Sequence, residues 1–147
     1  YDDIKTVAQY FNPSASVHIA SRPEHDRQSQ EFTYPAVRIG TDVQFAVRRA
    51  SGNLLTNDSY TIDFCEADDW ENTQSYTQAD ENSFEIMERM KLFADSTINY
   101  YLNNYPLAIP PGQNVSWNIT AFFRRGANFE TGVSLRVTVP KYAAKEC

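Results

Sequence analysis

Apolar positions along this chain recur in two rhythms. In the opening stretch YDDIKTVAQYFNPS, Ile4, Val7, Ala8 and Phe11 fall three and four residues apart, the spacing of one helix face. Asp2 and Asp3 occupy the first turn, where the helix dipole favours carboxylates, and Asn12-Pro13 ends the pattern. ASVHIAS then predicts a short strand. Residues 22–33, RPEHDRQSQEFT, carry no apolar periodicity and read as a polar loop, or as an arm that orders on a partner.

Between residues 34 and 66 the rhythm shortens to two. Strands are predicted at about 34–39, 43–49 and 59–66, separated by the turn chemistry of Ser51-Gly52-Asn53 and Asn57-Asp58. In the third, Tyr60, Ile62 and Phe64 alternate with Thr61, Asp63 and Cys65, so one face is expected in the core and the other in water. The carboxylates Glu66, Asp68, Asp69, Glu71, Asp80 and Glu81 follow with no basic residue among them, and a solvated acidic loop is expected over about 66–79.

A long helix comes next, with Asp80 or Asn82 expected as its cap and a stripe of Met87, Met90, Ala94, Ile98, Tyr101 and Tyr105 toward the core. Two strands complete the chain. In one, Val115, Trp117, Ile119, Ala121 and Phe123 alternate with Ser116, Asn118, Thr120 and Phe122, and in the other Val133, Leu135, Val137 and Val139 alternate with Ser134, Arg136 and Thr138. A basic-tipped loop, 124–132, joins them, and 141–147 reads as a flexible tail. The expectation is one domain over 1–147, in the α+β class: a mostly antiparallel sheet covered on one face by a long amphipathic helix, plus a short N-terminal helix.

Composition narrows the function. The chain has 147 residues, 41% of them hydrophobic and 14% aromatic, enough to bury a core without disulfides or metal. Its 13 Lys+Arg against 19 Asp+Glu give a net charge of −6, which excludes a broad grip on nucleic acid but suits a channel wall past which a duplex slides. No apolar run reaches the roughly 18 residues of a membrane span, and the first residues lack the regions of a secretion signal. Cys65 and Cys147 lack paired spacing for zinc and are expected as free thiols.

Candidate chemistry is sparse. Only His18 and His25 could serve as a histidine base, no nucleophile elbow is present, and both histidines are expected in structural or solvent roles. EADDWE offers carboxylates to a hard cation but lacks the spacing and glycine of a calcium loop. With 5 Gly in the chain there is no phosphate-cradling loop. No catalytic, metal or cofactor residue is expected. Sequons stand at Asn57, Asn114 and Asn118. Arg48-Arg49 and Arg124-Arg125 beside turns, Arg22 and Arg27 in the polar segment, and the aromatics Trp70 and Phe129 form the expected subunit or partner interface.

The order helix, YPAVRI strand, strand pair ending YTIDFCEAD, long helix, then AFFRRGANFETGVSLRVTVP resembles the tail-completion or tail-terminator (head-tail connector) proteins of phages, as in phages of Bacteroidetes, over about 34–147. The resemblance implies a structural subunit without an active site, assembling into a cyclic homo-oligomer of roughly six or twelve copies. Its partners would be portal or connector and tail proteins, with DNA passing through the ring without sequence-specific binding. It would be found in the virion at the head-tail junction, and in host cytoplasm during assembly. Function would then sit in residues 22–33, 66–78 and 124–131. Two other readings compete: a small secreted or periplasmic binding module, and a hydrolase in which two of Glu66, Asp68, Asp69 and Glu71 converge.

Overall fold

A computed structural model of the chain describes residues 2–27, 33–50, 52–68, 76–126 and 129–143. The elements run α1 (Asp2–Phe11), β1 (Ser16–Ile19), α2 (Arg22–Arg27), β2 (Ala36–Ile39), β3 (Gln44–Ala50), β4 (Asn53–Ala67), α3 (Tyr76–Asn104), β5 (Ser116–Arg125) and β6 (Glu130–Tyr142). The strands form a 6-stranded sheet in the order β1-β2-β4-β6-β5, with β3 also on β4. Only β1 and β2 pair in parallel. The fold is α+β, with a mostly antiparallel sheet, a long helix across it and a short N-terminal helix.

The strand β4 is the spine. Its first half pairs with β3, from Ala50↔Asn53 to Gln44↔Ser59, and its second half pairs along the same edge with β2, from Ile39↔Ile62 to Ala36↔Cys65. The other edge pairs with β6 from Leu55↔Tyr142 to Ala67↔Glu130. Residues 53–59 therefore stand with β3 as a hairpin at one end of the sheet. Gly52 turns it with φ of 80°, a left-handed backbone that glycine adopts without steric cost.

Alternation in β4 and β6 puts Ile62, Phe64, Val133, Leu135 and Val137 on one face, where Ile86, Met90, Phe93, Ala94 and Ile98 of α3 bury them. Each such side chain contributes roughly 1.5–3 kcal/mol on burial. The helix α1 adds Val7 and Ala8. Phe11, predicted on that buried face, is instead exposed, with its ring 5.8 Å from Tyr100 and 5.2 Å from Tyr10.

Several predicted boundaries are corrected. The helix α3 begins at Tyr76, ahead of the expected caps Asp80 and Asn82, because Gln78 to Glu81 are all residues a helix accepts. Asn57-Asp58 makes no turn: both lie within β4, held by partners on either side, and Asp58 is buried against Lys141 at 3.2 Å. The tail begins later than predicted, since Lys141 and Tyr142 belong to β6. The loop predicted over 124–132 is mostly strand, with β5 reaching Arg125 and β6 starting at Glu130. Trp117 and Phe123 of β5 stay exposed because this edge strand has a neighbour on one side only. The predicted polar arm is a helix over Arg22–Arg27, and its remainder at 28–32 lies outside the described residues. No helix among the described residues is long and apolar enough to cross a membrane.

Candidate functional site

The second sheet face, expected in water, carries a buried polar network. On β4, Asp63 and Cys65 are fully buried, and beside them stand His18 of β1, Arg38 of β2 and Glu130 of β6. The cover is α2. Ser21 caps it: its Oγ accepts from the Glu24 amide at 3.3 Å and donates to the Glu24 carboxylate at 2.8 Å. The helix thereby points Arg22 and His25 into the sheet.

Glu130 is the centre of one half. His25 Nε2 lies 2.7 and 2.8 Å from its two oxygens, Arg22 Nη2 donates at 3.1 Å, and Tyr34 donates its hydroxyl at 3.0 Å. Burial alone would raise the carboxyl pKa, but these donors and the charge on Arg22 outweigh it and hold the group below its ordinary range. An ionised carboxylate only accepts, so the His25 proton sits on Nε2. His25 Nδ1 then meets His18 Nε2 at 2.8 Å, the two rings stacked at 5.0 Å.

Asp63 is the centre of the other half. Its Oδ2 accepts from Arg38 Nε at 2.9 Å, Arg38 Nη2 at 2.6 Å and Arg125 Nη2 at 2.8 Å, with Arg22 Nη1 at 3.7 Å. Arg38 also donates to the Ala20 carbonyl at 2.9 Å. The Arg125 guanidinium lies 3.6 Å from the centre of the Phe122 ring, a cation–π contact that covers this end. Burial lowers the Arg125 pKa, although the adjacent Asp63 charge opposes the shift.

His25, Cys65 and Glu130 place one ligand atom each within 4.8 Å of one another, so a metal centre has to be weighed. The donors are already engaged, with Cys65 Sγ donating to Glu130 at 3.5 Å. Burial, followed by the Glu130 charge, pushes the Cys65 thiol well up, away from the thiolate that a metal or a nucleophile requires. A dication would also join the guanidinium groups of Arg22, Arg38 and Arg125, which already outnumber the carboxylates of Asp63 and Glu130. The arrangement is better suited to holding α2, β1 and β6 together.

Acid should therefore weaken this fold. Burial, together with the His25 and Arg38 charges, lowers His18 from 6.5 to about 4. Between those values the unfolded chain binds a proton that the folded chain refuses, so stability is full above pH 6.5 and falls as pH drops toward 4. His18 is only half-buried, so solvent screening reduces the loss expected from it to about 1–2 kcal/mol. Glu130, whose pKa is lowered, adds a further loss below its ordinary range. Urea unfolding across this window checks the slope, and His18→Gln should flatten it.

The expected interface residues divide between interior and surface. Arg22 and Arg125 serve the network. Arg124, at the positive φ of 50°, lies 3.7 Å from buried Asp68, and its amide donates to Thr131 Oγ1 at 2.9 Å. Asp68 is therefore not in a solvated loop, since Thr131 donates to it at 2.7 Å and Ser83 also donates to it. Glu66, the other described member of the postulated carboxylate pair, is bound to Arg89 at 2.6 Å. Arg48, Arg49 and Phe129 are exposed, and Arg48 reaches Gln113. Trp70, Asp69, Glu71, Cys147 and the side chain of Arg27 lie outside what is described. Cys65 is free and buried.

The residues that sequence reasoning left out are Tyr34, Arg38, Asp63 and Glu130, together with the pairing of His18 and His25. One signal was available: Ser21-Arg22-Pro23-Glu24 has the spacing of a capping box and predicts a helix presenting His25.

Elsewhere, α3 leaves a cavity of about 260 Å³ near its C-terminal end, lined by Ile39, Ile98, Tyr101, Leu107 and Val139, with Lys141 beside it. The hairpin of β3 and β4 shows the most exposed large apolar side chains among the described residues of the sheet: Phe45 is 66% exposed and Val47 60%.

No protein-family model matches this chain, and no curated protein does.

Proposed function

We propose that the chain is a structural virion subunit forming a closed ring at the phage head-to-tail junction, as a tail terminator, completion or connector protein around the DNA path. The observation that carries this reading is the β3–β4 hairpin. Every residue from Gln44 to Arg49 is exposed, Phe45 and Val47 among them, at the end of a spine whose other half is locked into the core. Such an edge invites another chain. The resemblance in element order adds the ring, and the net charge of −6 suits a wall that does not hold DNA.

Native mass spectrometry, alone and with portal and tail-tube proteins, tests it. A closed ring is expected, and a monomer in every mixture overturns the reading. Phe45→Asp should abolish the ring while shifting unfolding by no more than about 0.5 kcal/mol, because the site is solvated in the isolated subunit.

A further inference from the structure

We propose that the β3–β4 hairpin of one copy docks on the outer stripe of α3 in the next copy, an inference that rests on the ring reading and supplies its contact. The two surfaces match in chemistry. On the hairpin, Phe45, Val47, Arg49 and Leu54 are exposed on one face and Arg48 on the other, while the carboxylate opposite Phe45, Asp58, is buried against Lys141. On α3, Glu81, Phe84, Glu85, Glu88 and Leu92 recur at three- and four-residue spacing, all exposed, so carboxylates alternate with two uncovered apolar side chains.

The charge on that stripe is only partly offset locally, by Arg89 near Glu85. Neighbouring Arg89 is held by Glu66 at 2.6 Å and Lys91 by Asp95 at 3.3 Å, while Glu81, Glu85 and Glu88 form no ion pair among the described residues. Phe84 is propped outward against Phe123, with ring centres 5.3 Å apart. A basic apolar ridge and an acidic apolar stripe are thus offered by the same chain. Polyanions would accept the ridge but be repelled by the stripe, whereas a second copy satisfies both.

Position decides the symmetry. The hairpin stands at the start of β4, where Arg48 pairs with Leu55, whereas the first turns of α3 lie at its end, where Ser83 meets Asp68 and Arg89 meets Glu66. Leu55 and Glu66 are separated by about 36 Å at ~3.3 Å per residue. The surfaces cannot meet within one chain, and between copies they meet head to tail, a geometry that closes into a ring where the rotation between neighbours permits it.

The test uses full chains carrying Cys147→Ser, one with Val47→Cys and one with Leu92→Cys, mixed with glutathione disulfide. A disulfide-linked pair is expected only in the mixture, and not when Thr120→Cys on β5 replaces Leu92→Cys. Adding Arg48→Glu/Arg49→Glu, or Glu85→Arg/Glu88→Arg, should each cut cross-linking about tenfold or more, and combining the two reversed chains should restore it. Equal cross-linking to Thr120→Cys, or no restoration, overturns the docking. Native mass spectrometry on the same unmutated chain separates the two claims. A closed ring with no Val47–Leu92 link sinks the docking alone. A link without a closed particle sinks the ring alone. Neither ring nor link sinks both.

Discussion

Asp63→Ala is expected to destabilise the fold by about 3–5 kcal/mol, the range for removing one partner from a buried ion cluster. The reason is an imbalance of guanidinium groups. Asp63 Oδ2 accepts from both Arg38 and Arg125, and Arg22 lies within 3.7 Å, so its loss leaves clustered positive charge with Glu130 as the remaining carboxylate. The urea midpoint should fall with little change in slope, since the surface exposed on unfolding is the same. Arg125→Met gives the comparison. It leaves Asp63 with the two donors of Arg38 and should cost only about 1 kcal/mol, as expected for one net hydrogen bond. Equal effects from the two changes would mean that the burial of α2, not the charge balance, dominates.

Gly132→Ala should be at least as severe, costing about 3 kcal/mol or more, or preventing folding. A Cβ at this position would lie 1.9 Å from the Phe64 carbonyl oxygen and 2.8 Å from the Cys65 Cα. Both are main-chain atoms of the spine, so no side chain can turn aside, and β4 and β6 would have to separate where Glu130 sits two residues away. Gly52→Ala provides the contrast. Its Cβ meets nothing within 4 Å, so only the left-handed backbone is strained, at about 1 kcal/mol. Thermal unfolding of the two variants side by side would rank them.

The helix-facing half of the molecule is legible from the sequence because its rhythm has a single cause. Met90, Ala94 and Ile98 repeat at helical spacing, and Val133, Leu135 and Val137 alternate, since each contacts the same hydrophobic layer. The second face is not legible for the same reason. Asp63, Cys65, Arg38 and Glu130 fall on alternate positions and carry polar groups, which is also the signature of a solvated face. Their burial follows from α2, a helix of 6 residues too short to show periodicity. Partners that neutralise one another come from α2, β2, β4, β5 and β6, and no local window contains them. The start of β4 was expected too late, at about 59, for a related reason. Asn57-Asp58 has turn chemistry, but cross-strand neighbours on both edges of β4 outweigh a local preference.

The network also orders events during synthesis. His25 and Arg22 reach Glu130 across 105 and 108 residues of chain, so although Arg38 finds Asp63 on β4, His25 and Arg22 lack the Glu130 carboxylate until the last strand has been made. Contacts of such separation slow folding, because the loop entropy is lost before the contact forms. A nascent chain halted before β6 would hold β2 on Asp63 of β4, but α2 would lack the Glu130 carboxylate that takes His25 and Arg22. The polypeptide therefore closes on its own C-terminal segment, and a truncation that removes Glu130 should release the opposite end of the sequence to proteases.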